Sequence, residues 1–84
     1  MESDYLNYQQ TLDFLEACYQ KHNFVYGLER FILDGSKVKP DLDGILDLSA
    51  ICTKDVAKSI EAAKLYLSQY GNDTDEAFTV ITES

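Results

Sequence analysis

The chain has 84 residues, 45% of them apolar and 12% aromatic. That is enough for one hydrophobic core over 1–84, with no room for a second domain, and it excludes disorder. The formal charge of −8 argues against direct nucleic-acid binding, which needs a basic face.

The charge is unevenly placed. Residues 1–20 hold Glu2, Asp4, Asp13 and Glu16, and residues 65–84 hold Asp73, Asp75, Glu76 and Glu83, with no Lys or Arg in either segment. The segment between them is neutral, because all seven basic residues face seven acidic ones there. A single-sign field of this kind steers association with partners without setting a fold.

No apolar stretch approaches the roughly 18 residues of a membrane span. The acidic start Met1-Glu2-Ser3-Asp4 lacks the basic and apolar run of a signal peptide, so a cytoplasmic protein is expected. Two cysteines, Cys18 and Cys52, make no disulfide framework and read as small buried thiols.

Residues 4–21 read as a helix. Tyr8, Leu12, Leu15 and Tyr19 fall on one stripe, widened by Phe14 and Cys18. Ser3 or Asp4 fits the N-cap, and Lys21 and His22 suit the negative end of the dipole. In residues 24–33, Phe24, Leu28, Phe31 and Ile32 keep helical spacing, with Asp34-Gly35 as the stop. The rival there is a strand ending in an Asp-Gly turn with Val38 returning.

Residues 35–41 read as a loop around Pro40, after which Asp41 caps a short helix over Leu42, Ile45 and Leu46, with an extended Ile45–Leu48 as the alternative. Residues 54–70 give the clearest helix, with Thr53 as cap, Val56, Ile60, Ala63 and Leu67 as the apolar stripe, and Gly71 as the stop. In residues 73–84 a capping box, Asp73 to Glu76, favours helix, against the β-forming run Phe78-Thr79-Val80-Ile81-Thr82. The expected fold is an all-α bundle of three to four helices. The alternative is α+β with a short hairpin or a C-terminal strand.

Catalytic signatures are absent. Asp41, Asp43 and Gly44 resemble the middle of a calcium loop, but Lys39 and Ala50 stand where its first and last carboxylates belong. Cys18 and His22 lie one helical turn apart without an orienting group or oxyanion site. The inventory predicts no enzyme, no metal and no cofactor.

The six tyrosines are more informative, because Tyr combines apolar area with a polar tip and is enriched at interfaces. Tyr5 and Tyr8 sit in the acidic N-terminal segment, and Tyr66 and Tyr70 lie beside the acidic C-terminal one. The expected contact residues are Asp4, Tyr5, Tyr8, Tyr66, Tyr70, Asp73, Asp75 and Glu76, provided the chain ends are neighbours in space. The expected function is a small acidic protein-binding inhibitor. It would be an immunity protein against a nuclease-type toxin, or a phage-type antagonist, facing the basic cleft of a nucleic-acid enzyme. The alternative is a structural or adaptor subunit, possibly homodimeric, whose charge serves solubility.

Overall fold

The computed structural model describes residues 1–49, 55–70 and 75–83. In chain order they form α1 (Tyr8–Gln20), β1 (Val25–Asp34), β2 (Lys37–Asp47), α2 (Val56–Leu67) and β3 (Glu76–Thr82). The strands make an antiparallel sheet in the order β2-β1-β3. The all-α bundle is therefore overturned: the fold is α+β, with both the hairpin and the C-terminal strand of the alternative.

The helix expected at 24–33 is β1. Leu28 points into the core while Phe31 and Leu33 take the parity of the opposite face, so the central strand is apolar on both sides and does not alternate. Asp34 pairs with Lys37 across a two-residue turn whose Gly35 has φ +62. A positive φ at this position suits the twist of a hairpin and favours glycine.

β2 replaces both the expected loop at 35–41 and the short helix after Asp41. It is an edge strand, where Pro40 is tolerated because its missing amide faces outward. Its register with β1 jumps from Glu29↔Ile45 to Arg30↔Asp41, so Leu42, Asp43 and Gly44 are looped out. An irregular edge of this kind resists pairing with another chain.

The helices expected over 4–21 and 54–70 are present but shorter, with different caps, and Tyr19 of the expected α1 stripe is exposed while Thr11 is buried. α1 begins at Tyr8, after Asn7, whose side chain accepts from Gln10 N at 2.8 Å while Gln10 Oε1 accepts from Asn7 N at 2.9 Å. This capping box takes the place of Ser3 or Asp4. α1 ends in a Schellman turn. Asn23 N donates to Cys18 O and His22 N to Tyr19 O, and His22 itself has φ +53. α2 is capped by Asp55, which accepts from Lys58 N. Thr53, Gly71, Cys52 and Asp73 lie outside the described residues.

The helix expected over 73–84 is overturned at the described residues 75–83, where β3 runs from Glu76 to Thr82, and residues 1–6 lie extended along its free side. Ser3 N donates to Val80 O at 2.9 Å, Leu6 and Phe78 exchange hydrogen bonds of 2.8 and 2.7 Å, and Thr82 N donates to Met1 O at 2.7 Å. The Ser3 hydroxyl accepts from Val80 N at 2.8 Å. The two acidic ends of the chain are thus antiparallel neighbours.

Both helices cover one face of the sheet. Leu15 and Cys18 of α1 and Ile60, Ala63 and Leu67 of α2 meet Leu28, Phe78 and Val80 of the strands. Phe78, Leu28, Leu15 and Leu67 are fully buried, each contributing about 1.5–3 kcal/mol by leaving water. Among the described residues no element covers the other face, and no helix is long and apolar enough to cross a membrane.

Candidate protein-binding surface

The residues expected to contact a partner divide into two groups. Asp4 and Tyr5 are exposed on the N-terminal segment, and the Tyr5 ring meets Phe31 edge-on at 5.0 Å on the uncovered face. Asp75 is also exposed, and its carbonyl accepts from Leu33 N. The others are on the helix side. Tyr8 is half-buried against the core. Tyr66 is buried, its hydroxyl donating to Gly44 O. Tyr70 stacks 5.2 Å from Tyr66 and 6.1 Å from Phe78. Glu76 is buried at the start of β3. Tyr66 and Glu76 therefore lie inside the fold rather than on its surface.

What holds Tyr70 and Glu76 is Arg30, the sole arginine of the sequence. Arg30 Nε and Nη2 lie 2.9 and 2.8 Å from Glu76 Oε2, and Nη1 lies 2.7 Å from Asp41 Oδ2. Its guanidinium carbon sits 4.7 Å from the Tyr70 ring centroid, a cation–π contact. Desolvation pulls the Arg30 pKa down, but hydrogen bonds to Asp41 and Glu76, with their charges, outweigh it and the net shift is upward. This knot joins β1, the irregular part of β2 and β3, while Tyr66 ties the same part of β2 to α2. Burial pushes the Tyr66 hydroxyl pKa well above its ordinary value, with Tyr70 adding to the effect.

On the uncovered face, register sets the composition. Pairing places Glu29 between Ile45 and Thr79, Phe31 between Pro40 and Ala77, and Gly27 between Asp47 and Ile81. Ile45, at the β2 edge, is 51% exposed and Tyr5, at the opposite border, 57%, so apolar side chains are open at the two margins of this face. Its charged positions on the three strands are Glu29 and Asp47, both acidic. Lys37 and Lys39 pair with Asp34 and Ile32, at positions alternating to the helix side. A hollow of about 290 Å³ lies between Tyr26, Gly27, Glu29, Ile45, Leu46, Asp47, Ser49 and Ile81. Asp47 Oδ1 accepts from the Ser49 hydroxyl at 2.6 Å and from Ser49 N at 2.9 Å. These two bonds hold its pKa below the ordinary value.

Cys18 is a buried free thiol whose pKa is raised by burial, partly offset by Lys21, whereas His22 is exposed in the turn that ends α1. Among the described residues, no three His, Cys, Asp or Glu side chains gather to hold a metal ion. Compared with family models, curated proteins and solved structures, the chain matches none.

Arg30, Glu29 and Asp47 escaped the sequence reading. Arg30 carried one usable signal: with Glu29 it is one of only two charged residues in the run 24–33, and a cation in such a run calls for an acidic partner.

Proposed function

We propose that this chain is a small acidic protein-binding module that docks a basic protein. In its most concrete form it is an inhibitor of a nucleic-acid enzyme, such as an immunity protein or a phage-type antagonist. The observation that carries this reading is the uncovered sheet face, charged only by carboxylates, with exposed Ile45 at one margin and the acidic segment holding Asp4 and Tyr5 along the other. Opposite fields speed encounter and fix orientation, and desolvated aromatic and aliphatic anchors slow dissociation. A cytoplasmic setting agrees with the free thiol of Cys18.

The test is capture from the native host at low and high salt, followed by an activity assay on whatever is recovered. One basic protein, released by salt and inhibited by this chain, is the expected result. Recovery of the chain alone favours the second reading, a homodimeric structural subunit, which the exposed Tyr5 and Ile45 would serve.

A further inference from the structure

We propose that the hollow between β1 and β2 on the uncovered face is a socket for an arginine or lysine side chain of the partner, held between Glu29 and Asp47. The inference rests on the reading of a basic protein partner given above. Gly27↔Asp47, Leu28↔Leu46 and Glu29↔Ile45 are consecutive pairs without a register shift. Glu29 and Asp47 are therefore diagonal neighbours on one face, with backbones about 7–8 Å apart. A guanidinium between them can hydrogen-bond both carboxylates, in the charge-assisted geometry that gives the strongest such contacts. Ile45 and Ile81 line the hollow and offer apolar surface to the aliphatic stem, as long basic side chains require.

Among the described residues the charges in this hollow have no cationic partner: the Glu29 side chain makes no hydrogen bond or ion pair, and the Asp47 side chain bonds Ser49 alone, through Oδ1. The Ser49 contacts fix the Asp47 carboxylate in place and keep it ionised.

Charge decides the occupant. A second copy of this chain would set carboxylates against carboxylates on a molecule already at −8, whereas a basic side chain neutralises the pair. Arg30, the nearest cation along β1, is consumed by Asp41 and Glu76 on the helix side.

The experiment is a titration of the isotope-labelled protein with the peptide acetyl-Leu-Arg-Leu-Arg-amide, followed by amide chemical shifts. The same titration is run with the neutral citrulline peptide. Shifts concentrated at Gly27, Glu29, Asp47 and Thr79, absent with citrulline and about tenfold weaker in affinity for Glu29→Gln/Asp47→Asn, are expected. Asp47 is exposed and Glu29 half-buried, and an unchanged amide spectrum verifies the fold. Glu16→Gln/Glu61→Gln removes the same charge from the helix layer and should leave binding intact. Equal weakening by the two pairs, or shifts spread over all acidic positions, overturns the socket. If a basic protein is captured equally by wild type and Glu29→Gln/Asp47→Asn, the socket is overturned and the binding module stands. If neither the peptide nor any basic protein binds, both readings fall.

Discussion

Nη2 of Arg30 lies 2.8 Å from Oε2 of Glu76, a carboxylate only 1% exposed. The two residues meet diagonally across β1 and β3, and the contact explains how an acidic side chain can open a strand that is buried except at Ile81. Removing the cation alone leaves a buried charge without compensation, which is far worse than removing both. Arg30→Met should therefore lower stability by about 3–5 kcal/mol, while Arg30→Met/Glu76→Leu should recover most of that loss. Urea denaturation of the two variants measures the difference. Equal losses would show that the ion pair is not what holds β3 in place.

Two glycines on β1 and at its end should respond very differently to Ala. At Gly27 an added Cβ would run into the carbonyl oxygen of Leu46, so β1 and β2 would have to separate. At Gly35 an added Cβ meets nothing, and the cost is that of φ +62 alone, about 1–2 kcal/mol. Thermal melts should show Gly35→Ala modestly destabilised and Gly27→Ala more severely so. The reverse order would contradict the hairpin register.

Stability should fall on the alkaline side. Cys18 and Tyr66 both have folded-state pKa values raised above their ordinary 9.0 and 10.0, chiefly by burial. A raised value means that the folded state holds its proton more tightly than the unfolded state. The associated stability is complete below pH 9.0 and is lost as pH rises through the folded values. In a near-ultraviolet titration, Tyr66 should ionise well above the ordinary tyrosine range, as a last step together with unfolding. Tyr66→Phe should remove that last step. Ionisation of all tyrosines in one early phase would contradict the burial of Tyr66.

The chain should be monomeric. The uncovered face carries unpaired Glu29 and Asp47, and the neighbouring segment adds Glu2 and Asp4, so two such faces repel at physiological salt. Sedimentation equilibrium at micromolar concentration should give the monomer mass. A stable dimer there would favour the structural-subunit reading.

The helices were legible because each buries one stripe: Val56, Ile60, Ala63 and Leu67 repeat at helical spacing and pack as expected. The strands were not, for three separate reasons. β1 is apolar on both faces, so Leu28, Phe31 and Ile32 fit a helix as well as a strand. β2 contains Pro40 and the looped-out residues 42–44, which break its alternation. β3 is enclosed between β1 and residues 1–6, and its first residue imitates a capping box although its true partner, Arg30, is 46 positions away. The same non-locality hid the candidate surface. Asp4 and Tyr5 could be read from the acidic N-terminal segment, but Glu29 and Asp47 become neighbours only through the hairpin register.

The most direct test of the account is quantitative. The basic protein captured from the native host is titrated by calorimetry with the wild type, with Glu29→Gln/Asp47→Asn and with Glu16→Gln/Glu61→Gln, each at two salt concentrations. The account predicts tight, salt-sensitive binding for the wild type and the helix-layer pair, and a marked loss for the sheet-face pair. Undiminished binding by Glu29→Gln/Asp47→Asn, or affinity indifferent to salt, would contradict it.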